Sequence, residues 1–517
     1  MENKNSVLPQ AMKLSNQTTP ADLKNLVLYT TTKVKDESRC EAYLEEDRFQ
    51  IRKLQSNGRH TVLSEWCFDD FIGLEVHMHH ETYMDQGHLT LRPIGTKYDS
   101  SFCSAPNKNK KVIVEGKCYH AASDEIIHAV RNIIMTAFWN YLKTKHGAGI
   151  PEDDTSYVHP KNLKPWEKKA LVYINPFAGS RQAGKQFHSI ERYLRAFGFV
   201  LDQVVTYRQN QVKEEMALME GSTFKNYYCR LVFSGDGLIH ELINGYYDRN
   251  DHEELKLRMC AFPGGSRNCA SYMSQWSYGL EQVDPINALW ACTRMHFEPL
   301  SITKYTTNGP EETIYGFHDS CIGLLSDIVA TRLKQKNLTV EEQLKLKQQC
   351  LKDPKHRNLK ISYIGKTTED YPEPKFDEEV PENWTTIPCE DTWSVVLQQF
   401  PIWTHRYEFT RRLKVGDHYG EFIVIDHDKN DCEGSKATLN KWFNSALAKD
   451  NSACAVEKVQ YNLISGYKIE ILDKPDNVDN MYFMLDGECH VGNKIQCCFI
   501  NQNRILLGCH SRPAESS

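Results

Sequence analysis

A carboxylate lies between two glycines in the segment Ser234–Gly237, and this combination could do chemistry on phosphate groups. The apolar run that ends at Phe233 predicts a buried strand, and the apolar spacing over residues 238–246 predicts a helix. A strand, turn and helix of this kind bring backbone N–H groups and a helix N-terminus to one point, where an anion can bind. A carboxylate there would repel a phosphate unless it binds Mg²⁺ or accepts a proton from an attacking hydroxyl. Asp236 is therefore a candidate for phosphoryl-transfer chemistry, and a turn residue of an ordinary βα unit is the alternative.

Other predicted strands end in similar polar or glycine-containing loops. The strands predicted at 171–174, 199–207 and 259–262 lead into loops, the first of which begins at Asn175 and the last of which contains Gly264. Helical patterns separate these strands, which favours a parallel α/β sheet. Because the carboxyl ends of parallel strands meet at one edge of a sheet, we expect these loops to line a common crevice.

The chain divides into four parts by its pattern of strands and helices. Residues 1–24 are polar and are predicted to be disordered. Residues 25–145 predict several short strands and one amphipathic helix, a pleckstrin-like arrangement. Residues 168–297 predict the α/β domain, and residues 298–510 predict an antiparallel β domain with a flexible insert at 339–383. The fold class is therefore α/β with additional β domains on either side.

The amphipathic helix predicted in the N-terminal part begins after Ser123, a residue type favoured at helix N-caps. Its apolar face extends over residues 126–141. Lys108, Lys110 and Lys111 cluster shortly before it, and three exposed lysines would attract an anionic membrane surface by about 1 kcal/mol each. Three solvated loop residues without a membrane role are the alternative.

Composition and charge limit the function classes. The chain has 517 residues and a net charge of -6, which gives no reason to expect nucleic acid as a partner. Its start lacks the basic and apolar regions of a signal peptide, and no apolar run is long enough to span a bilayer. The 17 cysteines include no C-x-x-C pair, which favours reduced thiols. We therefore expect a cytoplasmic protein that associates with membranes only at their surface.

Five segments in order along the chain carry a family resemblance: Asn175–Gly179, Thr206–Asn210, Ser234–Gly245, Gly265–Asn268 and Asp486–Glu488. Together they resemble the diacylglycerol kinase catalytic domain superfamily, and within it the sphingosine kinases most closely. The resemblance covers roughly residues 170–508. It implies an α/β nucleotide-binding kinase domain followed by a C-terminal antiparallel β-sandwich that binds the lipid.

The resemblance also implies ATP and Mg²⁺ as cofactors and a role for each matching residue. Asp236 would be the general base that accepts a proton from the primary hydroxyl of the lipid. The residues implied to bind the nucleotide are Asn175, Pro176, Gly179, Arg181, Thr206, Ser234, Gly235, Gly237, Gly265, Ser266, Asn268, Asp486, Gly487 and Glu488. Asp486 and Glu488 would also bind the metal ion.

This chain departs from the family pattern in a loop implied to bind phosphate and at the residues implied to contact the lipid acceptor. Arg267 replaces a glycine and could contact a phosphate, as could Lys336. Asp327 matches an acceptor-side aspartate of the sphingosine kinases, which carry a second aspartate for the substrate amine where this chain has Val329. Ceramide kinases carry an apolar residue there, and an ammonium in an apolar pocket without a partner is costly.

We prefer a kinase that converts a sphingoid base, sphingosine, to sphingosine 1-phosphate, and a homodimer is a candidate assembly. A ceramide kinase, a diacylglycerol kinase and a non-catalytic lipid-binding scaffold with a degenerate kinase domain are the alternatives. A kinase for a soluble metabolite such as NAD is a further alternative, and the long C-terminal β domain disfavours it.

Overall fold

The computed structural model of the protein describes residues 27–29, 39–55, 57–79, 88–99, 107–121, 123–149, 154–179, 181–307, 309, 312–335, 340–352, 354–367, 371, 373–401, 407, 412–428, 430–448, 452–473 and 482–510.

The strands, in chain order, are β1 (Val27–Tyr29), β2 (Arg39–Leu44), β3 (Arg48–Leu54), β4 (His60–Cys67), β5 (Phe71–His79), β6 (His88–Asp99), β7 (Asn107–Glu115), β8 (Tyr119–Ala121), β9 (Lys168–Ile174), β10 (Phe199–Val205), β11 (Cys229–Ser234), β12 (Leu257–Pro263), β13 (Glu298–Pro299), β14 (Ile302–Thr307), β15 (Thr313–Gly316), β16 (Asp319–Gly323), β17 (Arg357–Gly365), β18 (Thr385–Gln398), β19 (Gly420–Asp426), β20 (Val459–Ile471), β21 (Tyr482–Leu485), β22 (Glu488–Val491), β23 (Lys494–Ile500) and β24 (Ile505–Leu507). The α-helices are α1 (Asp124–His146), α2 (Ala183–Phe197), α3 (Gln211–Leu218), α4 (Gly221–Lys225), α5 (Asp236–Tyr247), α6 (Cys269–Ser277), α7 (Pro285–Thr293), α8 (Leu324–Lys334), α9 (Val340–Lys352) and α10 (Cys432–Ala448).

The N-terminal part is an eight-stranded antiparallel sheet covered by α1. Neighbouring strands follow the order β4-β3-β2-β1-β8-β6-β5, and β7 pairs with the other side of β6. Strands followed by one long helix agree with the sequence pattern, while the pleckstrin-like assignment stays a prediction. Residues 1–24, predicted to be disordered, lie outside the described residues.

Helix α1 joins the N-terminal sheet to the α/β domain. It begins directly after Ser123, as the sequence predicts, and ends at Gly147, whose φ of 62° is left-handed and suits a residue without a Cβ. The ring of Phe138 lies 6.1 Å from that of Phe197 on α2. One continuous hydrophobic core therefore extends across both domains.

Lys111 lies inside the interface between these domains. It is 2% exposed, its Nζ lies 2.7 Å from Oδ1 of Asp70, and its ammonium group lies over the rings of Tyr98 and Trp290 at 4.2 and 4.6 Å. The expectation that Lys111 belongs to an exposed basic loop is therefore wrong, because the sequence does not reveal its buried partners. The side chain of Lys108 lies outside the described part of the chain.

The α/β domain contains a six-stranded sheet in the order β10-β9-β11-β12-β24-β13. Its first five strands are parallel, and β13 is antiparallel to β24. Strand β24 comes from the end of the described chain, so the last strand belongs to this sheet and not to the C-terminal β domain in which it was predicted. The division at residue 297 therefore does not separate the two sheets completely.

The C-terminal domain is a ten-stranded antiparallel sheet. Its strand order is β15-β14-β23-β20-β17-β18-β16-β21-β22, and β19 pairs with both β18 and β20. The long strands β18 and β20 each pair with β17 along one half and with β19 along the other. Apolar side chains from these strands share one core. The assignment as a sandwich stays a prediction.

The range predicted as a flexible insert, 339–383, contains regular structure. Helix α9 and strand β17 both lie within it, and Leu359 and Ile361 of β17 are buried in the sheet core. Its charged and proline-containing composition suggested a linker, but burial of alternate residues in β17 decides the structure. Among the described helices, none has the length and hydropathy needed to cross a bilayer.

Candidate active site

The carboxyl ends of β9, β11 and β12 open into a cleft of about 750 Å³. The turn between β21 and β22 closes its other side, so residues from the six-stranded and the ten-stranded sheet meet there. The predicted residues that line the cleft are Asn175, Gly179, Thr206, Ser234, Gly235, Asp236, Gly237, Gly265, Ser266, Arg267, Asp486, Gly487 and Glu488. The predicted crevice is thus present, and most of the candidate residues lie in it.

Three loops of the cleft touch one another backbone to backbone. A Cβ on Gly265 would lie 2.3 Å from Cα of Gly235, and a Cβ on Gly179 would lie 2.5 Å from the carbonyl carbon of Gly265. Carbon atoms in ordinary contact are about 3.5–4.0 Å apart, so no side chain fits at either position. Gly179 also has a left-handed φ of 47°. These glycines therefore allow the loops to pack together, as well as leaving space for a phosphate.

Asp236 is the first residue of α5, and its carboxylate is held at the start of α6. Its Oδ2 accepts the N–H of Cys269 at 3.0 Å, and its Oδ1 accepts the N–H of Ala270 at 3.1 Å. The side chain is largely buried, with the residue 8% exposed. A helix N-terminus stabilises a negative charge, and these two hydrogen bonds fix the carboxylate at the edge of the cleft.

Asn268, predicted to bind the nucleotide, closes its own loop. Its Oδ1 accepts the N–H groups of Gly264 at 3.1 Å and Gly265 at 2.7 Å, and its Nδ2 donates to the carbonyl of Gly265 at 2.9 Å. With φ of 55°, it also has the left-handed conformation that asparagine tolerates. Asn268 therefore shapes the loop, and it does not line the cleft. Pro176 and Arg181 also lie outside the lining.

Asp486 connects the two domains behind the cleft. Its Oδ1 accepts the N–H of His318 at 2.9 Å and of Asp319 at 3.2 Å, and its Oδ2 accepts the N–H of Phe317 at 3.0 Å. Oδ2 also lies 2.9 Å from Nδ1 of His240 on α5. The carboxylate is fully buried, so these contacts occupy most of its acceptor capacity. Its surroundings therefore fit a connection between elements better than the metal-binding role that the resemblance implies.

Glu488 is the carboxylate of this turn that faces the cleft. Its Oε1 would lie 3.3 Å from a Cβ on Gly237, so it directly faces the start of α5. Of the two carboxylates implied to bind a metal ion, Glu488 is thus the one with an accessible side chain, because it is half-buried whereas the side chain of Asp486 is fully buried.

Two arginines add positive charge to the same wall. Arg267 packs against Gly487, and its Nη1 lies 3.7 Å from Oδ2 of Asp319. Burial alone would lower the pKa of Arg267, but the neighbouring carboxylates, Asp319 first, raise it above its ordinary value. Arg332 of α8 also lines the cleft, and burial together with the charge of Arg267 lowers the pKa of Arg332. An anion in the cleft would relieve this repulsion.

The two acceptor-side candidates lie on α8, away from the cleft lining. Nη2 of Arg357 lies 3.2 Å from both carboxylate oxygens of Asp327. Burial raises the pKa of Asp327, and the positive charge of Arg357 offsets part of that rise. Val329 packs against the apolar cluster formed by α8, α10 and the sheet. Lys336 lies outside the described residues.

Sequence reasoning missed several cleft residues. Phe177 and Tyr207 are 64% and 71% exposed at its mouth, and exposed aromatic rings in a ligand loop are a usable sequence signal. His240 lies four residues after Asp236, one helical turn along α5, but its partner is distant in sequence. Arg332 had no signal that separates it from an ordinary surface arginine.

Comparison with known proteins agrees with this geometry. Residues 169–305 match the model of the diacylglycerol kinase catalytic domain. Sphingosine kinase 1 of Rattus norvegicus is 27% identical over 256 residues, which cover 46% of this chain and 65% of that protein. Sphingoid long chain base kinase 4 of Schizosaccharomyces pombe is 30% identical over 162 residues, 31% of this chain and 33% of that protein. The resemblance inferred from the five segments is confirmed.

The similarity to solved structures is weaker. A putative diacylglycerol kinase from Bacillus anthracis str. Sterne aligns with a TM-score of 0.46 and 17% identity, covering 69% of this chain and 99% of that chain.

Proposed function

Since residues 169–305 contain a diacylglycerol kinase catalytic domain and the chain is related in sequence to sphingosine kinases, we propose that it transfers the γ-phosphoryl group of ATP to the primary hydroxyl of a sphingoid base. One observation carries the proposal. The backbone of three glycine loops and the carboxylate of Asp236 border the same cleft.

Phosphoryl transfer depends mainly on positioning and on neutralising charge. The glycine loops leave room for phosphates beside the N-terminus of α5, where backbone N–H groups favour an anion. Arg267 and Arg332 supply positive charge in the lining of the cleft. Phe177 and Tyr207, exposed at the mouth, are suited to contact the adenine ring.

Asp236 is the proposed general base. Its oxygens accept two N–H groups of α6 and a hydrogen bond from the thiol of Cys269, and the remaining acceptor capacity of the carboxylate is available for the proton of the acceptor hydroxyl. The two N–H groups also fix the orientation of the carboxylate, so less of the reaction rate is lost to misalignment of the base. Asp236 would thus hold the hydroxyl proton as the oxygen attacks phosphorus.

The cleft fits a magnesium ion through Glu488. Mg²⁺ prefers a few carboxylate oxygens together with phosphates and water, and Glu488 is an accessible carboxylate beside Gly237. When bound, the ion would neutralise phosphate charge. Asp486 would act indirectly, by holding His240 and the turn before β16 in place.

A second candidate acceptor is a lipid with a neutral head group, such as ceramide or diacylglycerol. Asp327 is already paired with Arg357, and position 329 carries no carboxylate. A substrate ammonium arriving at α8 would therefore have to displace a guanidinium or remain unpaired in a dry site. Either lipid acceptor requires the protein to reach a membrane, so we propose peripheral association.

The proposal is tested by incubating the full chain with labelled ATP, Mg²⁺ and, separately, sphingosine, ceramide and diacylglycerol. Asp236→Asn should abolish labelling of every lipid while still binding ATP. Asp248→Asn, which changes an exposed aspartate at the other end of α5, is the matched control and should keep wild-type rates.

Label on sphingosine would support the sphingoid-base acceptor, and label on ceramide or diacylglycerol alone would support the neutral one. No label on any lipid, or an undiminished rate in Asp236→Asn, would contradict the proposal. Lipid binding without ATP turnover would then favour a lipid-binding scaffold.

A further inference from the structure

A second cluster of side chains lies in the C-terminal sheet, outside the cleft. His356 directly precedes β17, Asp391 lies within β18, and His427 directly follows β19. One potential ligand atom from each of the three residues lies within 4.8 Å of the others. None of them lines the cleft. We propose that this His-Asp-His cluster is a zinc site.

The distances suit a small metal ion. Nε2 of His356 lies 3.2 Å from Oδ1 of Asp391. Two ligands of a tetrahedral zinc ion, each about 2.0–2.1 Å from the metal, are about 3.3 Å apart. The rings of His356 and His427 are nearly parallel, with centroids 5.5 Å apart and an angle of 5° between them. One ring nitrogen of each imidazole lies within 4.8 Å of a carboxylate oxygen of Asp391, so both histidines adjoin the same carboxylate.

The ligand set selects the metal class. Two imidazoles and one carboxylate suit zinc or a similar divalent transition metal, whereas Mg²⁺ and Ca²⁺ prefer oxygen ligands alone. The side chain of His356 is 52% exposed, so water or another small ligand can complete the coordination from the solvent side. The site is thus distinct in chemistry as well as in position from the cleft at Asp236.

The backbone around Asp391 positions its carboxylate for this role. Asp391 has a left-handed φ of 59°. The pairing of β18 with β17 shifts register between Cys389 and Thr392, and its pairing with β19 shifts register between Thr392 and Ser394. Its N–H donates to Oδ1 of Asn358 at 3.2 Å, and its carbonyl accepts the N–H of His427 at 2.9 Å. Bulges of this kind redirect a side chain and are common beside functional sites.

A buried ring nitrogen of His427 supports the zinc site independently of these distances. Its Nδ1 is buried and has no hydrogen-bond partner among the described residues. A buried polar atom is costly unless it has a partner, and a bound metal ion would supply one. The ring is held by Trp393, a fully buried residue whose ring centroid lies 4.9 Å away. The imidazole is therefore oriented before any ion binds.

Zinc at this position would connect three strands of one sheet. Its effect would extend toward α8, because Arg357 follows His356 directly and contacts Asp327. We therefore expect zinc to stabilise the C-terminal sheet and to restrict the segment that holds Asp327. This inference concerns the sheet and does not depend on kinase activity.

The test uses the full chain without a histidine tag, stripped of metal with a chelator and then given Zn²⁺ or Co²⁺. Metal retained after gel filtration is measured by mass spectrometry, and Co²⁺ is followed by its visible absorption. Wild type should retain one ion per chain, show the spectrum of tetrahedral cobalt without thiolate charge-transfer bands, and melt at a higher temperature with zinc.

Asp391→Asn and His427→Gln should lose this ion and the thermal shift. Asparagine tolerates a left-handed φ, so the first variant tests the ligand without straining the backbone. His188→Gln changes a histidine that is 75% exposed on α2 and should behave as wild type. Failure of wild type to retain metal, or equal retention by the two site variants, would overturn the proposal. If His427→Gln does not fold, the Asp391→Asn result decides.

Discussion

Replacing Gly265 by alanine tests the contact between the cleft loops directly. The added Cβ would lie 2.3 Å from Cα and 2.9 Å from the nitrogen of Gly235, both of which are backbone atoms that cannot rotate away. Restoring an ordinary carbon contact of about 3.5 Å requires the two loops to separate by about 1.2 Å. Such overpacking costs about 1–3 kcal/mol of stability.

The same displacement should weaken function more than stability. The Gly235 loop carries Asp236, so a separation of this size moves the carboxylate relative to any bound phosphate. Misplacement by about 1 Å can reduce a rate about 100-fold. We therefore expect Gly265→Ala to bind ATP more weakly and to turn over slowly, in addition to unfolding at lower denaturant concentration.

Gly184→Ala is the matched control, because it lies on the helix that follows the first loop. A Cβ on Gly184 meets no atom within 4 Å, and alanine favours a helix over glycine by up to about 1 kcal/mol. This variant should be as stable as wild type or slightly more stable, with unchanged ATP affinity. Wild-type stability and ATP affinity in Gly265→Ala would refute the reasoning, since the loops would then not depend on backbone contact.

Three further predictions concern the interfaces around the site. Arg294→Met should destabilise the chain by about 3 kcal/mol in urea unfolding, because it leaves three backbone carbonyls of the N-terminal domain, two of them buried, without their donor. Arg195→Met on the surface of α2 should have little effect. Burial, with the nearby charge of Arg294, lowers the pKa of His146 to about 4 in the folded chain, whereas the pKa of this histidine is near 6.5 in the unfolded chain. Because the unfolded chain binds the proton more readily, the free energy of unfolding should fall by about 2 kcal/mol from pH 7 to pH 5. His146→Gln should flatten that part of the pH profile of stability. An equally steep profile in the variant would assign the loss to other groups. Arg357→Met removes the partner of Asp327 and should raise kcat/KM for sphingosine relative to ceramide; an unchanged ratio would mean that Asp327 does not meet the head group.

Much of the cleft could be predicted because its determinants are local. An apolar run followed by Ser234–Gly237 and a helical pattern predicts a strand, a turn and a helix, and the same applies to the loops at Asn175 and Gly264. Parallel strands then bring their carboxyl ends to one edge without further information. The start of α1 after Ser123 was predictable for the same reason, since residue preferences at a helix start are local, although the Ser123 side chain makes no capping hydrogen bond.

Contacts between distant segments could not be predicted in this way. His240 and Asp486 are 246 positions apart, and each has an ordinary local context. Strand β24 joins the α/β sheet after the chain has passed through the entire C-terminal domain. Lys111 belongs to a basic cluster in the sequence, and only the packing of the N-terminal domain shows that its ammonium is buried against aromatic rings.

The sequence by itself determined which chemical groups are present and in which loops they occur, because strand, turn and helix propensities act over a few residues. The tertiary structure decided what each group faces. It directs Glu488 toward the cleft and buries Asp486 among backbone N–H groups, although the two are separated by a single residue. It also pairs Asp327 with Arg357 and brings His356 to Asp391. These assignments depend on contacts between elements that are far apart in the chain.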